Sequence, residues 1–149
     1  MLHVAAQGDA PVSLAYFRRC GLDINSTDYR LSTPLHWACF SGAELTINYI
    51  IAWGGTLNAR DRNGLTPLHL AVKSYKENRS TKGIKQLLIK GADRNALDYE
   101  RRKPIDFVPI PPNVKKEDVD PLVKEIRKLL KDEWSILADC LMIRTTYKK

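Results

Sequence analysis

Short apolar stretches at helical spacing alternate with polar turns along most of the chain, and they come in pairs. Residues 2–8 read as the remainder of a first helix. Pro11 opens a second, which turns Leu14, Phe17 and the region 15–20 inward until Gly21 stops it. The next pair is predicted over residues 33–41 and 44–53, with Gly42 turning the chain between them. The second of these carries Leu45, Ile47, Tyr49, Ile50 and Ile51 as a broad apolar face, and Gly54-Gly55 ends it. A further helix over residues 81–90 points Ile84, Leu87 and Leu88 inward and closes at Gly91-Ala92-Asp93. Polar segments link the pairs at 26–31 and 57–64, and Asn63-Gly64 is a strong turn signal. Last comes an amphipathic stretch over 118–133. Asp120 suits its N-cap and Pro121 its first helical position. Leu122, Val123, Ile126, Leu129, Leu130 and Trp134 lie on one face, and Lys124, Glu125, Arg127, Lys128 and Lys131 on the other.

The pairs are copies of one another. Ser32-Thr33-Pro34-Leu35-His36-Trp37-Ala38-Cys39 returns as Leu65-Thr66-Pro67-Leu68-His69-Leu70-Ala71-Val72. It returns in part as Leu2-His3-Val4-Ala5-Ala6 and in worn form as Lys103-Pro104-Ile105-Asp106. His3, His36 and His69 stand 33 positions apart. Thr33 and Thr66 sit where a helix N-cap belongs, and Pro34 and Pro67 suit the position after it. A histidine repeated at one phase is expected to serve in capping and in hydrogen bonding between repeats. The catalytic reading has no Ser, Cys or Asp repeated beside it in triad fashion.

This motif and period resemble the ankyrin repeat. The resemblance implies an all-α ankyrin solenoid: stacked helix pairs with projecting β-hairpin loops, here followed by a C-terminal capping helix. In such repeats an aspartate at the phase of Asp28, Asp61 and Asp98 braces the hairpin. The repeats are expected over residues 1–108: about three, the first truncated, plus a partial fourth. A Pro and charge-rich linker (109–119), the capping helix (120–134) and an apolar-basic tail (135–149) follow. Pro109, Pro111 and Pro112 break the fourth unit. The third repeat is four residues long of the period, and residues 74–82 are expected to hold the excess as an enlarged polar surface turn. Met1 stands where Thr-Pro should precede Leu2-His3, so further repeats are expected upstream in a longer parent.

Composition narrows the chemistry. The chain has 149 residues and a formal charge of +7. Residues 1–100 hold 12 basic and 9 acidic side chains, and residues 101–149 hold 12 and 8. So mild and dispersed an excess speaks against a nucleic-acid partner. Cys20, Cys39 and Cys140 are far apart, which suits neither a disulfide framework nor a zinc site and fits a reducing cytosolic setting. No apolar run of 18 residues and no secretory signal is present. No phosphate-binding loop, metal-ligand spacing or acid–base pair is readable, so no metal, cofactor, small-molecule substrate or catalytic activity is expected of this chain.

The ankyrin resemblance places a protein or peptide ligand in the concave groove of loop tips and first helices. By phase, the tips offer Tyr29, Arg30, Arg62, Asn63, Tyr99, Glu100 and Arg102, and the first helices offer Phe40, Ser41, Lys73 and Ser74. Trp37 shares a helix face with Phe40 and Ser41 and reads equally as a binding hot spot or as core between repeats. Residues 2–9, 32–39, 66–73 and 88–94 are similar to the ankyrin region of the DHHC-type protein S-acyltransferases, as is the enlarged third repeat followed by Lys103-Pro-Ile-Asp. The tail from Cys140 to Lys149 resembles the approach to that family's first membrane span. The resemblance implies a module that recruits substrates on the cytosolic face of an internal membrane (Golgi or ER), near the membrane at its C-terminus, with Trp37 as a groove contact. The sequence departs from that family in having neither Asp-His-His-Cys nor a Cys-rich zinc domain, so no acyl-accepting cysteine is assigned to it. A free-standing cytoplasmic ankyrin adaptor and the cytoplasmic ankyrin domain of an ion channel stay open beside it.

Overall fold

The structure, a computed structural model, describes residues 1–131. Three helix pairs follow one another: α1 (Leu2–Gln7) with α2 (Pro11–Arg19), α3 (Pro34–Ser41) with α4 (Glu44–Ala52), and α5 (Pro67–Lys73) with α7 (Lys82–Ile89). A short α6 (Tyr75–Asn78) lies between the last two. A 3-10 turn at Pro104–Phe107 and helix α8 (Pro121–Lys131) complete the described chain. The first helices stack in the order α1, α3, α5 and 3-10 turn, and the second helices in the order α2, α4, α7.

The residues that make each pair helical also set its spacing. Thr33 and Thr66 take extended backbone before a proline at the first helical position, so each first helix starts at the same point of its repeat. Leu35, Ala38, Leu68 and Val72 on the first helices, with Leu14, Ile47, Ile50, Ile84 and Leu87 on the second, are almost wholly excluded from water in one continuous core. Ala5, Ala38 and Ala71 are buried at one phase, where a larger side chain would hold the first helices apart.

The loops depart from the hairpin expectation in one respect. They project as tight turns, and no strand forms among the described residues. Each loop closes on itself with two backbone bonds: Asp28 N–H to the Ser32 carbonyl, with its counterparts Asp61 to Leu65 and Asp98 to Arg102, all at 3.0 Å, and Leu31, Gly64 and Arg101 N–H back to the carbonyls of Asp28, Asp61 and Asp98 at 2.9–3.0 Å. Neighbouring tips are joined by one bond each, which is too few for a ladder: Arg62 N–H donates to the Arg30 carbonyl (2.8 Å) and Tyr99 N–H to the Asn63 carbonyl (3.2 Å).

Two further expectations are corrected. The insertion of the third repeat is not a polar surface turn at its start. Ser74 and Tyr75 are buried, and α6 carries the chain on from α5. The Ser74 hydroxyl donates back to the Leu70 carbonyl (3.0 Å). The Asn78 amide donates to Ser74 Oγ (2.9 Å) and to the Phe40 carbonyl of the preceding repeat (3.2 Å). Polar composition there reflects internal hydrogen bonding as well as solvent. The face of α4 is also narrower than expected: Thr46, Ile47 and Ile50 are buried, whereas Leu45 and Tyr49 are exposed, because the outer helices meet the core along one stripe only.

Helix α8 covers the end of the stack. Val123, Ile126, Leu129 and Leu130 are buried and Leu122 is half-buried. Burying side chains of this size stabilises by roughly 1.5–3 kcal/mol each. Asp120 Oδ1 accepts the Leu122 N–H (2.9 Å), as an N-cap does. The polar face of α8 is anchored as well. Arg127 donates to the Val108 carbonyl (2.6 Å), and Glu125 accepts from Lys85 (2.6 Å) and the Thr81 hydroxyl (3.1 Å). Trp134, the tail and Cys140 lie outside the described residues.

Candidate functional site

The loops and first helices are held in register by two ladders of side chains. His36 Nδ1 accepts the Thr33 N–H (3.1 Å), so the ring proton is on Nε2, which donates to the Leu65 carbonyl at the start of the next repeat (3.0 Å). His69 repeats both bonds, accepting from Thr66 N–H (3.1 Å) and donating to the Arg102 carbonyl (3.1 Å). His3 Nε2 donates to the Ser32 carbonyl (2.8 Å). His36 and His69 are wholly buried, and burial pushes both pKa values below the usual imidazole value, against the opposing pull of these carbonyls. Each is a neutral brace between repeats.

The aspartates form the second ladder. Asp28 Oδ1 accepts from Arg30 and Ser32 N–H, Asp61 Oδ1 from Asn63 and Leu65, and Asp98 Oδ1 from Glu100 and Arg102, all at 2.8–2.9 Å. Burial raises the Asp28 and Asp98 carboxyls, and the hydrogen bonds they accept more than reverse it, leaving both below the ordinary carboxylate range. On the other side of the loops a third set was not foreseen. Asn25 Oδ1 accepts the Thr56 N–H (2.8 Å) and Asn58 Oδ1 the Asp93 N–H (2.9 Å). Asn25 and Asn58 are themselves one period apart, and that spacing was the available signal.

On this frame the expected groove residues divide. Tyr29 and Tyr99 stand 72% and 67% exposed at tips, with Arg30, Arg62 and Asn63 also exposed and Arg102 half-buried. The Arg30 guanidinium lies over the Tyr29 ring, and Arg102 pairs with Asp98 (2.8 Å) and Glu100 (2.9 Å). Phe40 is 53% exposed, Lys73 is exposed and Ser41 is half-buried. Ser74 is corrected: it is 3% exposed, and its hydroxyl is engaged inside the stack.

Trp37 joins its two readings. It is half-buried and packs on the core, its ring meets His3 edge-on, and its Nε1–H donates to Asp28 Oδ2 at 2.9 Å. That bond links a first helix to the loop before it. The same phase places Val4, Leu70 and, across the insertion, Phe107 in one row with Trp37. Val4 is exposed, whereas Leu70 and Phe107 are half-buried against the core, and Phe107 sits under the Arg102 guanidinium. The row is a largely apolar floor beneath the tips. Stepping from Trp37 by the period would have found it.

The histidines of the repeat are unsuited to acid–base work, since both nitrogens of His36 and His69 are already engaged in buried bonds. Cys39 is likewise buried, which raises its thiol pKa far above the usual value and makes it inert. Cys20 is exposed, not inward-facing.

Stacked helix pairs, buried braces between repeats and an open row of tips define a helical-repeat solenoid that works by surface contact. The chain belongs to the ankyrin-repeat family: the family model for ankyrin repeats, in three copies, matches residues 2–98. No curated protein matches the sequence. Ankyrin repeats are protein–protein interaction modules, and a domain built of them is non-catalytic.

Proposed function

We propose that this chain is a peptide-binding module whose ligand lies along the concave groove. It would cross Trp37, Phe40, Ser41 and Lys73 beneath the tips that carry Tyr29, Arg30, Arg62, Asn63, Tyr99 and Arg102. The carrying observation is that large aromatic side chains stand open to water at repeat-register positions above an apolar floor. Rigid aromatics of this kind supply contact area at low entropic cost and dominate interface energetics.

More narrowly, the module recruits protein substrates for a membrane-bound DHHC-type acyltransferase at the cytosolic face of the Golgi or ER. Support comes from the similarity of residues 2–9, 32–39, 66–73, 88–94 and 103–106 to the ankyrin region of that family, and from an apolar-basic tail suited to a membrane-proximal position.

Binding of disordered cytosolic peptide segments, measured by fluorescence anisotropy, tests the module. Phe40→Ala, which removes an exposed ring, should weaken a bound peptide on the order of tenfold or more with the circular dichroism spectrum unchanged. Equal affinity for wild type and Phe40→Ala would sink the groove assignment. The narrower reading is tested by the natural reading frame. Apolar segments of about 20 residues and an Asp-His-His-Cys motif beyond Lys149 support it; a stop codon soon after makes the chain a free-standing adaptor.

A further inference from the structure

Ligand charge is decided by what the groove has already used. Asp28, Asp61 and Asp98 are turned into their own loops, each accepting two backbone N–H groups. Glu100 is paired with Arg102 at 2.9 Å. Helices α1, α3 and α5 contain no acidic residue, and Asp106 of the 3-10 turn accepts the Lys103 N–H at 2.7 Å. Every carboxylate of the tips and first helices is therefore engaged.

The cations are not. Arg62, Lys73 and Arg101 are exposed and make no ion pair among the described residues, and Arg30 faces only the Tyr29 ring. They stand beside the apolar floor and the exposed Tyr29, Phe40 and Tyr99. A surface whose exposed cations lack ion partners, whose carboxylates are turned into their own loops or paired, and whose apolar contacts are spaced complements a chain that alternates acidic and apolar side chains.

Resting on the peptide-binding reading above, we propose that the groove's ligand is an extended acidic peptide segment with apolar anchors. Such a segment places carboxylates at Arg62 and Lys73 while its apolar side chains reach Trp37 and Phe40. A single-stranded nucleic acid also offers negative charge, but it calls for basic side chains gathered along one track, and the basic excess of this chain is mild and dispersed.

A random-peptide phage library selected on the full 149-residue chain tests this. The selected pool should be enriched in Asp and Glu over the unselected library. Its leading peptide should bind at least ~10-fold more weakly to Arg62→Glu and to Lys73→Glu, and more weakly as salt is raised. Lys128→Glu makes the same charge change on α8, outside the groove, and should leave affinity unaltered; circular dichroism checks that all three variants stay folded. A neutral or basic pool that still depends on Phe40 overturns the acidic ligand and leaves the groove reading standing. No enrichment at all overturns both. Labelled oligothymidylate binding more tightly than the leading peptide overturns the proposal in favour of nucleic acid.

Discussion

At the scale of single residues, the same few side chains carry the stack because each closes two gaps at once. His36 satisfies the N–H of its helix cap and the carbonyl of the next loop. Replacing it with Ala strands both groups in the interior, and we expect a loss of roughly 2–4 kcal/mol in urea unfolding. A change under about 0.5 kcal/mol, the range of an uninvolved surface site, would show the ladder to be incidental. Asp61→Ala likewise abandons the N–H groups of Asn63 and Leu65 and should lose about 1–3 kcal/mol by the same measurement. The histidines also set a pH dependence. Their folded pKa values lie below the unfolded value of about 6.5, so the unfolded chain binds protons more readily. The stability their neutral forms contribute is complete above that pH and is lost as pH falls below it. Asp28 and Asp98, lowered in the fold, add a second loss as pH falls below their unfolded value of about 3.9. Unfolding midpoints measured from pH 8 downward should fall first in the histidine range; a flat profile between pH 7 and 5 would contradict neutral braces.

At the scale of elements, the loops show one conformational need met by unequal residues. Leu31, Gly64 and Arg101 share a phase, and all three adopt positive φ, at 60°, 76° and 60°. Only glycine does so without strain. Leu31→Gly should therefore raise stability, by about 1 kcal/mol before the added freedom of the unfolded chain is subtracted. Gly64→Ala should lower it, because a Cβ there would come within 2.8 Å of the Tyr99 backbone nitrogen and ring. Thermal melts of the two variants should move in opposite directions, and a shared direction would refute the strain argument. The first helices were legible in the sequence because Thr-Pro-Leu-His signals a start, a cap and a period together. Helix α6 was not, since Ser74 and Asn78 look solvent-seeking until their partners, Leu70 and Phe40, are known. The Trp37 to Asp28 bond was hidden for a similar reason. It joins two motif positions of different phase across a loop, and a repeat alignment compares like positions only.

At the scale of the whole molecule, a stack in which each unit touches only its neighbours is sensitive to its ends. Helix α8 buries Ile126 completely and ties to α7 through Lys85 and Glu125. Ile126→Ala should destabilise by roughly 2–5 kcal/mol. The damage should be graded along the chain, with hydrogen exchange rising most in α5 and α7 and least in α1. Uniform loss of protection would mean that the repeats unfold as one body. The repeat architecture was legible at this scale because the period is written in three histidines. The face that α8 covers was foreseen from its apolar spacing, whereas its anchoring by Arg127 on a backbone carbonyl has no sequence signature.

The bonds that join neighbouring tips run between main-chain atoms, from Arg62 N–H to the Arg30 carbonyl and from Tyr99 N–H to the Asn63 carbonyl. Any amino acid but proline can make the donor's half, and any at all the acceptor's. The outward side chains at these positions are therefore interchangeable parts. New partners can be acquired by rewriting Tyr29, Arg30, Arg62, Asn63 and Tyr99 while the architecture beneath stays as it is, which makes the row of tips the place where descendants of this chain, natural or engineered, can diverge in what they hold.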